Sequence, residues 1–535
     1  MWFIVYGGDM RLDGARTELE AIQVPVDFGV TVEEHHAVPG RLSLLELLLP
    51  QGIASRSLVI GSNCPSLLLP ESHMEDGERA DLVILAPTVA ECRTRGWLEE
   101  AMQLLAQRLE TEGIAYVLAP PWWRLRLRHA LHGYDLSIDL SIIHLPDQAS
   151  NRYLVPLISI PVRYAFSELI PICPWRRCLA LIAFRCPGAA RLFGGLLPSV
   201  GLVARRAGAL PLFSWLLQLA REGQLPSSVI ISTSWRGQDG AVVLHRFSGW
   251  DTKPTAVAKM NLTTARAHSR VREAAILACL GPRARWAGAQ VPQPLLLEQV
   301  HERPVLLQTA MGGQLAASLL ASRPGRLFDL MERVASWLEN WHRSTVVIEP
   351  LDGELLNREL LAPATLLAPF LEQGEEYRHW LTRRCATVVG APVPFVATHN
   401  DLTMWNVLLD EHGRLSIVDW EAGREEAFPL VDFFYAMVDA VAATRGYADR
   451  LQAFAACFAS SGTYTHAVMR LQRRLIQAVV IPAGIVDLCL HACWLHHAVN
   501  EYHASEPTDS QPFLHIVQWL VWHRFHTVVT LNKTL

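Results

Sequence analysis

Hydrophobic positions fall into three successive patterns along the chain. Ser57-Leu-Val-Ile-Gly-Ser-Asn63 reads as a buried strand ending in small turn residues. Ala80-Asp-Leu-Val-Ile-Leu-Ala-Pro87 is a second apolar, β-branched run, closed by proline. From Gly96 to Glu112 the period becomes helical, with Leu98, Met102, Leu104, Leu105 and Leu109 on one side, and Gly113 is placed to stop the helix. Ile114-Ala-Tyr-Val-Leu-Ala119 is a third strand, ended by Pro120-Pro121. Strand, helix, strand at this spacing predicts a βαβ unit and a parallel sheet, a small α/β, Rossmann-like module over residues 1–147.

From about Gln148 to Gln224 the chain is rich in Leu, Ile, Pro and Trp, and Arg163, Arg176, Arg177, Arg185, Arg191, Arg205 and Arg206 interrupt it. No stretch reaches the ~18 uncharged apolar residues of a spanning helix. Its Pro and Gly density predicts short packed helices, an apolar helical connector. Interfacial helices with snorkelling arginines, which would place residues 153–220 on a membrane surface, are the alternative. Near Leu225 the pattern changes again. Ser228–Ser234, Ala241–Phe247 and Thr255–Met260 read as short strands, with Gly237, Gly240 and Gly249 in the turns, and helical periods dominate after Ala265. A β-rich piece followed by a longer helical piece is an α+β order, with room for a cleft between them.

Composition narrows the function classes. Half of the 535 residues are hydrophobic and 19% are charged, which suits two or three folded domains. The balance of 47 basic against 52 acidic side chains, a formal net charge of -5, lacks the basic excess of a general nucleic-acid binder. Ten cysteines without a regular framework point to a reducing compartment. The apolar run within Met1–Met10 has no basic n-region and is too short for a signal peptide, so a cytoplasmic location is expected.

The chemistry concentrates in Thr398-His-Asn-Asp-Leu-Thr-Met-Trp-Asn-Val-Leu-Leu409 and in Leu415-Ser-Ile-Val-Asp-Trp-Glu421. Phosphoryl transfer asks little covalent work of a protein. It needs a carboxylate near the attacking hydroxyl, ligands for magnesium, and a cation on the nucleotide phosphates. Asp401 and Asn406 lie five positions apart on a loop running into a strand, and Asp419 ends a second apolar strand, with Gly413 in the turn between. A hairpin of that size brings Asn406 and Asp419 together as two hard oxygen ligands for one ion. Asp401 is left at the mouth to receive or orient the acceptor proton.

The pattern resembles the aminoglycoside phosphotransferase/choline kinase family, a branch of the protein-kinase-like fold. That family's loop reads His-Gly-Asp with an Asn five positions on; here it is His399-Asn400-Asp401 with Asn406, and Asp419-Trp420-Glu421 takes the place of the magnesium motif. Asn is the non-glycine residue that best tolerates left-handed backbone, so the change at 400 is compatible with the turn. Phe428-Pro-Leu-Val-Asp-Phe-Phe-Tyr435 matches the family's Pro-Leu-x-Asp segment and makes Asp432 a structural acid. By the same resemblance Lys259, in Ala256-Val-Ala-Lys-Met260, is the phosphate-binding lysine. Glu273, in Arg272-Glu-Ala-Ala-Ile-Leu277, is then its partner. Backbone around Gln308 to Met311, in Val305–Gly313, would hold the base. Val334–His342 resembles the helix that precedes the catalytic loop in space. Ser232–Gly240 would cover the phosphates, although its two glycines read equally as an ordinary hairpin turn.

The resemblance covers 225–535 and implies a bilobal kinase domain. Its expected reaction moves the γ-phosphoryl group of ATP, or of another nucleoside triphosphate, with Mg2+, to a small-molecule hydroxyl. Aminoglycosides, choline-like alcohols, amino-acid hydroxyls and sugars are all admissible acceptors. A non-catalytic nucleotide-binding regulator is the alternative. Residues 81–133 show a weaker likeness to the later half of a class I S-adenosylmethionine methyltransferase. The single Gly61 in the turn and about twenty residues between Val59 and Asp81 make that a degenerate or truncated site, leaving a bifunctional enzyme as a third reading.

Other clusters admit plainer explanations. Cys173, Cys178 and Cys186 lack zinc spacing. Cys489, Cys493, His496, His497 and His503 lie at helical intervals and read as core residues before metal ligands. Glu372, Glu375 and Glu376 fit a solvated helix face as well as an acceptor site.

Overall fold

The computed structural model describes residues 43–62, 78–118, 121–145, 153–169, 200–218, 228–233, 241–300, 302–504 and 511–531, apart from 53, 55, 250 and 264–267. The chain divides into two compact units, one of residues 1–139 with 201–212, the other of 140–200 with 213–535.

In the first unit, strands Ser57–Ile60, Ala80–Leu85 and Leu109–Leu118 pair parallel in that order, and helix Trp97–Arg108 makes the crossover between the last two. Ala80–Leu85 is an almost unbroken apolar run because both its neighbours are parallel strands and its side chains are buried. The helix buries Trp97, Ala101, Met102 and Leu105. It ends at Arg108, and Gly113 lies inside the following strand, so the helix stop expected there is corrected. The glycine answers a packing demand instead, since a Cβ at 113 would stand 2.8 Å from the Asp81 carbonyl oxygen. Strand Val200–Arg206 pairs antiparallel with Leu109–Leu118. A strand at 200–206 departs from the purely helical connector expected over 148–224.

The second unit reaches back to Leu140, ahead of the start expected at 225. Tyr153–Pro156 pairs antiparallel with Ser228–Thr233, with Tyr153 opposite Ser232. The sheet continues through Ala241–Phe247, Ala256–Asn261, Arg303–Thr309 and Pro294–Val300, each antiparallel to the one before. Helix His268–Trp286 packs on Arg303–Thr309. From Ala316 onward the unit is mostly helical. Leu327–Thr345 and Val431–Thr444 run through its core, where Trp337, Trp341, Phe433, Phe434 and Trp494 are buried. Burying aromatics of this size removes 150–250 Å² each and dominates such a core. Two short sheets are set among the helices, Gln314–Leu315 with Val407–Leu409 and Leu415–Ile417, and Val347–Pro350 with Pro392–Thr398 and Arg424–Ala427.

Among the described residues no single helix is long and apolar enough to cross a membrane. The pair Thr465–Val479 and Ala483–His503 meets length and composition limits only jointly, across a 118° bend.

Candidate active site

The loop after strand Pro392–Thr398 is held by buried acids on a neighbouring helix. Asp432, at the start of Val431–Thr444, accepts the backbone N–H of His399 at 2.7 Å and of Asn400 at 2.8 Å. Burial pushes its carboxyl up to about 6 against those two donors. Asn400 turns the chain through φ +61°, the left-handed conformation expected of it. The His399 ring accepts from the Asp401 N–H at Nδ1 and donates from Nε2 to the Val418 carbonyl at 2.9 Å. Burial lowers its pKa to about 4 and keeps it neutral. The loop is thereby tied to the strand that precedes Asp419. Beneath it, Trp341 Nε1 donates to the Ala397 carbonyl at 2.7 Å, which ties helix Leu327–Thr345, the helix that contains Val334–His342, to the strand leading into the loop.

Val407–Leu409 and Leu415–Ile417 form the expected hairpin, with Gly413 at φ +74° in its turn. The hairpin brings Asn406 and Asp419 side by side, because the Val418 N–H donates to the Asn406 carbonyl at 2.9 Å. Asn406 Nδ2 donates to Asp401, at 2.8 Å to the carbonyl and 3.1 Å to the carboxylate. Its amide oxygen is then turned away from Asp401.

Lys259 lies on strand Ala256–Asn261 and Glu273 on helix His268–Trp286. Lys259 Nζ donates to Glu273 at 2.5 Å and to Asp419 at 2.7 Å, so one ammonium bridges the sheet and the hairpin. Burial disfavours that charge, yet the two carboxylates outweigh it and raise the Lys259 pKa. Asp419 is lowered to about 2 despite its own desolvation, with Lys259 as the main stabilising neighbour. Asp401 moves the opposite way, well above the usual carboxylate range, because it is desolvated and faces the Asp419 charge.

A cavity of about 270 Å³ runs beside this bridge, lined by Lys259, Asn406, Asp419, Gln308 and Met311 among others. Gln308 is buried and, among the described residues, its Oε1 has no hydrogen-bond partner. The structure therefore brings Lys259, Glu273, Asn406, Asp419 and Asp401 into one ionic end and leaves Gln308 and Met311 along the cavity wall. Most of the loop expected to cover the phosphates, 234–240, lies outside the described residues, as do Cys173, Cys178 and Cys186.

Two features escaped the sequence reading. Arg270 is buried and donates to Glu273 at 2.7 Å and also to Glu421, which joins the lysine's partner to the segment after Asp419. Asp439 is buried and accepts the Met404 N–H at 2.7 Å and Arg450 at 3.0 Å, fixing the far end of the 399–406 loop. Arg270 stands three residues before Glu273, the spacing of a helical ion pair, and that was the available signal. The acids at 372, 375 and 376 are exposed, and Glu375 pairs with Arg378. Cys489 and Cys493 are buried, and His497 stacks on Tyr435 with centroids 3.6 Å apart.

A family model described as the phosphotransferase enzyme family matches residues 241–467. No curated protein matches the chain. Among solved structures, an aminoglycoside 2′-phosphotransferase-IIIa in its GDP complex is similar at 14% identity. That likeness covers 58% of this chain and 98% of the other, with a TM-score of 0.39. An aminoglycoside phosphotransferase from Streptomyces rimosus is similar at 16% identity, over 52% and 96% of the two chains, with a TM-score of 0.31. At these scores the assignment rests on the sequence match. By that match residues 241–467, somewhat less than half of the chain, are similar to the phosphotransferase enzyme family.

Proposed function

We propose that the second unit transfers the γ-phosphoryl group of ATP, or of another nucleoside triphosphate, to a hydroxyl of a small molecule, with magnesium. The observation that carries this reading is Lys259 held between Glu273 and Asp419 at one end of the cavity, with Asn406 and Asp401 hydrogen-bonded beside it.

Lys259 supplies a fixed positive charge for nucleotide phosphates, and Glu273 keeps it extended toward the cavity. The donor set fits magnesium. Asn406 offers an amide oxygen and Asp419 a carboxylate, both hard ligands lining one cavity. Among the described residues no group of three or more His, Cys, Asp or Glu is arranged to hold a metal. Such a site suits an ion that takes its other ligands from phosphates and water. Magnesium bound there would neutralise charge on those phosphates.

Asp401 is the residue for the acceptor. Its carboxylate is oriented by Asn406 Nδ2, and the burial that raises its proton affinity makes it a better acceptor for a hydroxyl proton. The rest of the loop holds these groups still, through Asp432 at one end and Asp439 at the other.

Nucleotide consumption with product mass tests the reading. The chain is incubated with magnesium and γ-labelled ATP or GTP across aminoglycosides, amino alcohols, hydroxy amino acids and sugars. At least one acceptor should gain the label in a metal-dependent way. Nucleotide binding with no label on any acceptor class would instead support a non-catalytic regulator.

A further inference from the structure

The cavity has a wall that comes from ahead of the family match. Strand Tyr153–Pro156 extends the sheet beyond Ser228–Thr233, and the chain then folds under the sheet as Ser159–Tyr164 and a continuing helical turn to Leu169. Tyr164 is buried against the sheet face, 5.5 Å from the Phe247 ring and 6.1 Å from His245. Tyr153 donates its hydroxyl to the Leu169 carbonyl at 3.3 Å, which ties the strand to the end of the turn. Ala165–Leu169 packs on Gln314–Leu315, just after the segment that carries Met311. Tyr153, Tyr164, Glu168 and Leu169 all line the cavity.

Glu168 is the one acid of this wall. Among the described residues it has no hydrogen-bond or ion-pair partner, although its side chain is half-buried. A second cavity shares Lys259 and Asp419 with the first and adds Arg270 and Glu421, and Glu168 does not line it. Its helical turn packs on Gln314–Leu315, so Glu168 borders the cleft and not the second cavity at the ionic end. A nucleotide with its phosphates at Lys259 places its sugar and base farther along the cleft. A lone carboxylate there repels phosphate and accepts from neutral hydroxyls. A ribose offers two such hydroxyls, and single acids commonly read them.

We propose that Glu168 is a specificity-determining residue, contributed by the segment before the kinase-like sheet, that accepts from a ribose hydroxyl and selects ribonucleotides over deoxyribonucleotides. The proposal rests on the nucleotide reading of the same cleft.

The test measures calorimetric affinity of the full chain with magnesium for ATP, GTP and their 2′-deoxy and 3′-deoxy forms, in wild type, Glu168→Gln and Glu168→Ala. Wild type should prefer the ribonucleotide over at least one deoxy form by about tenfold, the size of one charge-assisted hydrogen bond. In Glu168→Ala that preference should vanish through a loss of ribonucleotide affinity, with the deoxy affinity unchanged, and Glu168→Gln should fall between. Equal discrimination in wild type and both variants would overturn the role of Glu168 alone. A wild-type chain that binds none of these nucleotides would overturn the phosphotransfer reading beneath it.

Discussion

At Asp432 a single carboxylate holds two consecutive backbone N–H groups, and its burial has a measurable consequence. Its folded pKa is about 6, above the ~3.9 of an exposed aspartate. An acid raised on folding contributes stability that is present below the unfolded value and lost as pH rises through the folded one. Wild type should therefore lose on the order of 2–3 kcal/mol from this group between about pH 4 and pH 6. Urea unfolding across that window should show a shallower decline in Asp432→Asn, which has no charge to acquire there. Parallel curves would mean that this carboxyl titrates at its ordinary value. The neighbouring Asp419 carries the metal argument. Asp419→Asn keeps the shape of the site and removes its anionic ligand, so magnesium should no longer strengthen nucleotide binding. Calorimetry with and without magnesium checks this, and a metal effect equal to wild type would place the ion elsewhere. Both acids stood out in the sequence because each closes a short motif of fixed spacing. Asp439 did not, because nothing in Met437-Val-Asp-Ala440 distinguishes a buried anchor from any other helical acid until the fold supplies Met404 and Arg450.

Between elements, the coupling runs through helix His268–Trp286. Its Glu273 meets the sheet at Lys259, and its Arg270 reaches both Glu273 and Glu421. Removing the arginine leaves the fully buried Glu273 with one cation and Glu421 with none of this pair. Arg270→Ala should destabilise the unit by about 3 kcal/mol, the scale of breaking a buried ion pair from one side. A change below about 0.5 kcal/mol on chemical unfolding would mark the network as an exposed surface pair. At this scale the sequence was legible where period and length were distinctive. The strands at 228–233, 241–247 and 256–261 and the crossover helix at 97–108 fall where their patterns placed them, within a residue or a few. Tyr153–Pro156 was missed because a four-residue apolar run has no period of its own, and its only marker is the partner strand some 75 residues later. Gly113 was read as a helix stop because glycine serves equally where two backbones must approach.

Over the whole molecule, the second unit holds both the residues that form the ionic site and the earlier segment that walls the cleft. The family's ordered motifs made the kinase-like part readable from sequence, since five separate elements had to agree. The contribution of 153–169 lay outside those motifs and became visible only through strand pairing and a shared cavity. The central claim is that this constellation catalyses transfer rather than merely binding nucleotide, and Asp401 separates the two. In the proposed reading it serves the acceptor, and it meets Asn406 only by accepting hydrogen bonds from Nδ2. The decisive measurement compares Asp401→Ala with wild type in label transfer from γ-labelled nucleotide to the best acceptor, alongside calorimetric nucleotide affinity. Transfer should fall by at least about a thousandfold while affinity stays within about threefold. Unchanged transfer, or an equal loss of nucleotide binding, would contradict the account.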